Sequence, residues 1–264
     1  MVLLSMMLCV NAQNSDTVLP EGHRSDASIS PKQLPPVIQE LIENMVYVEG
    51  GTFTMGDNSV YDGHLLGRGN PEHQVTLSPY FICRYEVTQE VWDAVMGNNY
   101  SRIKGVKLPV SNVCWDECQE FILRLIVMTG INFRLPTEAE WEFAARGGNM
   151  SHQTKYSGSN HIDSVAWYAY NSAEKLHPVG QKLPNELGLY DMSGNVGEWC
   201  SDFYGPYDSS AQTNPQGASS SSEKVIRGGT IEEIAEICQV TQRFSKVPVL
   251  KKNSIGFRLA ATPE

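Results

Sequence analysis

Beyond Gly148 the chain carries no apolar periodicity long enough to build an extended helix or strand. Ser, Gly, Asn and Pro are frequent there, and the apolar residues come in short pieces such as Val165-Ala166-Trp167-Tyr168 and Lys224-Val225-Ile226-Arg227. Pieces of that length cannot bury a face on their own, so they must be held by loops packed across one another. There are no internal repeats. The 264 residues, 41% hydrophobic and 19% charged, suit one large globular domain or two small ones. Few long elements and many short ones point to a single α+β, loop-rich domain.

The first half is more legible. Pro36 to Met45 has apolar residues at helical intervals, and Met45–Glu49 and Gly50–Gly56 read as two short strands hinged by glycines. His73–Leu77 alternates like a strand, followed by Pro79–Cys83. Glu86–Gly97 is predicted as a helix with Thr88 as N-cap and Gly97 as stop. Further helices are predicted from about Trp115 to Met128 and after Thr137, which is placed to cap the run ending near Ala145.

Val2–Val10 is apolar but too short to span a bilayer, and Asn11-Ala12-Gln13 follows it. Residues 1–12 read as a signal peptide without a basic n-region, with a buried N-terminal strand as the alternative. Lipidation of Cys9 is disfavoured, because Met-Met-Leu precedes it. Residues 13–36 read as a flexible linker and 37–264 as the domain, which implies a secreted or periplasmic protein with no transmembrane segment. Lys+Arg 20 against Asp+Glu 30 gives a net charge of −10. No basic patch is present to neutralise phosphates, which argues against a nucleic-acid partner.

Cys83, Cys114, Cys118, Cys200 and Cys238 remain after such a leader, an odd number for an exported chain. Cys114 and Cys118 are four apart, and without a second Cys/His pair they read as buried small residues rather than a zinc half-site. His23, His64, His73, His152, His161 and His177 show no paired ligand spacing and read as surface or structural histidines. No nucleotide-binding glycine loop is present, and Ser193 in Met-Ser-Gly-Asn is not a nucleophile elbow.

Seven segments then stand in order. They are Gly50–Gly56, Tyr85-Glu86-Val87-Thr88, Pro109–Val113 with Trp115, Arg134–Glu142, Gly188–Trp199 (Gly-Leu-Tyr-Asp-Met-Ser-Gly-Asn-Val-Gly-Glu-Trp), Arg227-Gly228-Gly229 and Gly256-Phe257-Arg258. Together, over about residues 45–260, they resemble the formylglycine-generating enzyme, or sulfatase-modifying factor, family. The resemblance implies an α+β domain of C-type-lectin-like topology with little regular secondary structure. Enzymes of that family use oxygen and copper to convert a cysteine of a sulfatase peptide into formylglycine, holding Cu(I) on two cysteines. Soft Cu(I) is well held by a thiolate pair. Here the second of those positions is Cys238, the first is Glu233, and Thr230 takes the family's serine. The carry-over therefore marks Cys238, Thr230 and Trp199 as the candidate catalytic residues.

One thiolate and a carboxylate make a poor Cu(I) site, because carboxylate is hard. Cys200 follows the Glu198-Trp199 motif, which the family places near the same groove. Cys200 and Cys238 are thus expected as a structural disulfide, or alternatively as a metal or redox pair. The resemblance also implies calcium on Gly194, Asn195, Val196 and Glu198, through two side chains and two carbonyls. Gly197 replaces the family's usual Trp, which predicts looser packing there. A second family calcium loop after Asn171 is absent from the sequence. The helical, His-rich iron domain that accompanies sulfoxide-forming relatives is absent too. The expected function is a diverged, non-oxidising member that binds a peptide, protein or other ligand, with Glu232, Glu233 and Glu236 favouring a basic peptide. The alternative is an active copper-dependent oxidase.

Overall fold

Short helices in this chain are set by their ends. The computed structural model describes residues 34–58 and 71–263, so the expected signal peptide and nearly all of the expected linker lie outside the described residues. Helix α1 (Pro36–Glu43) starts with Pro at its first position, where the missing N–H costs nothing. In α2 (Gln89–Met96) the Thr88 hydroxyl accepts from Val91 N, and Gly97 closes the helix in the left-handed conformation. Helix α3 (Trp115–Thr129) ends the same way at Gly130. In α4 (Glu138–Ala145) Thr137 and Glu140 form a reciprocal capping box. A one-turn helix, α5 (Ile162–Val165), was not foreseen.

Three small sheets are built from strands distant in sequence. The first, of four strands, has the order β1 (Met45–Val48), β4 (Tyr80–Cys83), β11 (Ala260–Ala261), β5 (Phe133–Arg134). In the second, β10 (Ile255–Gly256) pairs parallel with β6 (Gly197–Phe203). Strand β6 in turn pairs antiparallel with β8 (Lys224–Arg227), and β8 with β9 (Arg243–Lys246). The third holds β2 (Gly51–Met55), β3 (His73–Leu77) and β7 (Gln212–Thr213). This is the α+β architecture expected, and the residues after Gly188 supply much of it through strands of two to seven residues.

Two apolar clusters carry the packing. One joins α1, α2 and α3 around Trp92, Phe121 and Phe257, with Trp92 and Phe121 stacked 5.3 Å apart. The other lies under β2, β3 and α4 around Trp141 and Phe143. Arg227 and Arg258 are as deeply buried as these aromatics. Burial of a guanidinium requires carboxylates in matching positions. Among the described residues no helix is long and apolar enough to cross a membrane.

Candidate functional site

The segment 228–238 leaves β8 through two left-handed glycines, Gly228 (φ 98°) and Gly229 (φ 74°), and ends in the 3₁₀ turn Ala235–Cys238. A Cβ on Gly229 would stand 2.7 Å from Cys238 Sγ and 2.9 Å from its Cα. Only glycine lets the turn fold back so closely. Cys238 is thereby sealed: it is 0% exposed and packs with Tyr156, Val165 and Tyr168. Its thiol donates to Thr230 O at 3.9 Å. Burial pushes this thiol up to about 12, and the charges of Glu233 and Glu236 add to the rise. A neutral thiol is therefore the resting form. The Thr230 hydroxyl accepts from Glu232 N at 3.0 Å, which braces the turn.

The Gly188–Trp199 segment lies beside a cluster of buried charges. Glu198 is fully buried, and its two oxygens accept from Arg258 Nε and Nη2 at 2.6 Å each, with Trp141 Nε1 donating at 2.7 Å. Asn195, held at φ 55°, donates from Nδ2 to Glu86 at 2.7 Å, and its Oδ1 accepts from His177 N at 3.1 Å. Val196 N donates to the other oxygen of Glu86. Asp191 accepts from Gly180 N through Oδ2, while its buried Oδ1 has no hydrogen-bond partner. Three buried carboxylates thus face one guanidinium. Burial, then Asp191 and Glu198, holds Glu86 well above the usual carboxylate range. Burial lifts Asp191 to about 6.

A second charge network ties α4 to the sheet of β6, β8 and β9. Arg243 forks onto Glu138 through Nε (2.8 Å) and Nη2 (2.5 Å), and Arg227 reaches Glu142 and two backbone carbonyls. Asp202 accepts from Glu138 N and Ser201 Oγ. Burial, reinforced by Glu138, raises its pKa to about 7.

With this geometry in place, comparison with known proteins is decisive about family. The sequence profile of the sulfatase-modifying factor enzyme 1-like domain matches residues 31–263. The chain belongs to that family. It is 36% identical to the chaperone protein LppX of Paenibacillus barcinonensis, over 61% of this chain and 72% of that protein. It is 31% identical to the formylglycine-generating enzyme of Streptomyces coelicolor, over 81% of this chain and 88% of the enzyme. Among solved structures, Treponema denticola variable protein 1 superposes with a TM-score of 0.76 at 33% identity, covering 83% of this chain and 95% of that one.

The residues present do not fit the family's copper site. Cu(I) is held by a thiolate pair, and here the hard carboxylate of Glu233 stands at the partner position of Cys238, which is itself fully buried. The expected Cys200–Cys238 disulfide is corrected: the five described cysteines are all free thiols. Cys200 faces the Trp141 and Val225 side of β6, where its thiol points at Glu198 O, whereas Cys238 belongs to the separate tyrosine-lined cluster. The alternative two-thiolate pair has no support for the same reason.

The calcium set fits no better. Asn195 and Glu198 spend their side-chain oxygens on His177 N, Arg258 and Trp141, so with Gly194 and Val196 only backbone carbonyls remain. Among the described residues no three His, Cys, Asp or Glu side chains converge in metal-holding geometry. An unpartnered buried oxygen in this region is Asp191 Oδ1, which the sequence reading passed over.

Thr230 and Cys238 come together as expected, but Trp199 does not join them. It is buried in the α-helical cluster and donates to Val113 O at 3.1 Å, a structural placement. The looser packing expected at Gly197 is not found. A Cβ there would meet Ile226 Cγ2 at 3.0 Å and Thr230 Cγ2 at 3.3 Å, so those methyl groups already fill the space. Cys114 caps α3 and Cys118 is buried in its core face. His73 packs on Tyr207 and His177 stacks on Trp167 at 3.7 Å. His23 and His64 lie outside the described residues.

Proposed function

We propose that this chain is a non-oxidising member of the family, exported to the cell envelope, that binds a basic peptide or protein segment on the surface around residues 229–238. The observation that carries the reading is Cys238, fully buried and held as a neutral thiol with a carboxylate where the copper chemistry requires a second thiol. What remains at that surface is suited to recognition. Tyr170 is 78% exposed and Ile234 43% exposed, on segments tied together by the bond from Ala169 N to Glu233 O. Glu232, Glu233 and Glu236 flank Ile234 in the sequence. Glu232 pairs with Lys252 at 2.7 Å, so the negative field of this surface rests on Glu233 and Glu236. A relative named as a chaperone, at 36% identity, is consistent with binding rather than oxidation.

The test is fluorescence anisotropy with a labelled lysine- and aromatic-containing peptide and its glutamate-substituted counterpart. The reading expects salt-sensitive binding of the basic peptide alone, weakened by Tyr170→Ala and abolished by the pair Glu233→Lys and Glu236→Lys. Equal binding of both peptides, or no effect of these variants, contradicts it.

A further inference from the structure

Where α3, β5 and β6 meet, a cleft of about 630 Å³ opens, within the ~300–1,000 Å³ range of small-molecule sites. The amides of Gln119, Asn214 and Gln216 and the hydroxyls of Ser78 and Thr262 line it, with Trp115 in one wall. Its charged groups are Arg134, Glu140 and Lys224. The first two cancel, since Arg134 forks onto Glu140 through Nη1 (2.6 Å) and Nη2 (2.7 Å). Lys224 has no such partner. It is only 6% exposed, and its Nζ donates to Ser201 O at 2.8 Å. The same atom lies 3.5 Å from the ring centroid of Phe203 and 4.1 Å from that of Trp115. Among the described residues no carboxylate stands within salt-bridge distance of it. The other deeply buried cations, Arg227, Arg243 and Arg258, each carry one. Asp202 and Asp116 act on Lys224 only from farther off, and Asp202, lifted to about 7 by burial, is partly protonated near neutral pH.

We infer that this cleft is a binding site for an organic acid, a carboxylate on a hydroxylated body, with the carboxylate seated against Lys224. An ammonium has three N–H donors, and Ser201 O takes one. Ring faces attract a cation without neutralising it. A carboxylate would supply the counter-charge that the three buried arginines already have, in a site where burial strengthens the pairing. The amides and hydroxyls around it suit hydroxyl groups better than an alkyl chain, because a polar group covered by alkyl surface loses water without gaining a bond. A phosphate dianion would bring two charges to one cation, with Glu140 in the same wall. An organic cation would meet Lys224 with the same sign. The net charge of −10 is screened beyond about 8 Å at physiological ionic strength, so the contact with Lys224 sets the sign of the ligand. The site is separate from the 229–238 surface, and neither reading requires the other.

The experiment is calorimetric titration of the full chain with D-gluconate, sorbitol, n-hexanoate and inorganic phosphate, with the Trp115 indole N–H followed by NMR. Gluconate is expected to bind and to move the Trp115 signal. Sorbitol, which keeps the hydroxyls and lacks the charge, should bind about tenfold or more weakly, because a charged hydrogen bond gives way to a neutral one. Hexanoate and phosphate should each bind more weakly than gluconate. Lys224→Met keeps the stem and removes the charge. It should abolish gluconate binding while the thermal midpoint holds or rises, because an uncompensated buried charge is gone. Gln119→Glu, at a half-buried position of α3, sets a second carboxylate in the wall and should weaken gluconate by about tenfold or more. The inference is overturned if sorbitol, hexanoate or phosphate binds as tightly as gluconate, or if gluconate leaves the Trp115 signal unmoved. It is overturned equally if folded Lys224→Met or Gln119→Glu binds like the parent.

Discussion

Replacing Arg258 by Met tests the buried charge cluster directly. The guanidinium makes two 2.6 Å bonds to Glu198 and further bonds to the carbonyls of Cys83, Arg84 and Tyr190. Met fills much of the volume but leaves Glu198, Glu86 and Asp191 buried without a counter-cation. Breaking one side of a buried ion pair costs about 3–5 kcal/mol. For a domain of this size each kcal/mol lowers the midpoint by about 2–4 °C, so the variant should melt roughly 6–20 °C below the parent. The companion Glu198→Gln in the Arg258→Met background should recover part of that loss, because one stranded charge is gone. Acidification should recover more, since the remaining carboxylates then take up protons. Urea denaturation of the parent, both single variants and the double variant gives the coupling energy. A loss under ~1 kcal/mol for Arg258→Met, or no coupling with Glu198→Gln, would refute the assignment.

Three further outcomes are expected. Gly229→Ala should destabilise by more than the ~1–2 kcal/mol of a left-handed alanine, because its Cβ meets Cys238 at under 3 Å; a variant of parental stability would show the turn lies elsewhere. Asp202, raised from 3.8 to about 7, contributes stability that is complete below its unfolded value and is lost as pH rises through the folded one. The shift corresponds to a loss on the order of 4 kcal/mol across that window, so Asp202→Asn should gain on the parent between about pH 4 and about pH 8, measured by denaturation at both ends. Thiol titration in denaturant should find every described cysteine reactive without reductant, and reductant should leave the melting temperature unchanged. Protected thiols or a reductant-sensitive midpoint would restore the disulfide.

The sequence reveals elements whose signal is local and hides those whose cause is distant. Thr88, Gly97 and Thr137 mark helix ends by chemistry that acts within four residues, and each does what its type predicts. Strand β11 is only Ala260-Ala261, with no pattern of its own; it exists because β4 and β5 flank it. Helix α4 shows why amphipathic reading fails here. All eight of its residues are buried, including Glu138, Glu140 and Glu142, and two of these are matched by Arg227 and Arg243 from 85 and 105 residues away. The same distance hides Asp191 and Glu86, whose significance appears only once Arg258 and Asn195 are in place. Cys238 was legible by motif, but its closure was not, since Tyr156, Val165 and Tyr168 come from another part of the chain.

The most direct test of the central claim is to incubate the purified full chain with Cu(I), oxygen and a cysteine-containing sulfatase peptide, and to follow the peptide mass. The account predicts no copper retained on Cys238, no formylglycine formed, and an identical result for Cys238→Ser. Formylglycine made by the parent and lost in folded Cys238→Ser would contradict it.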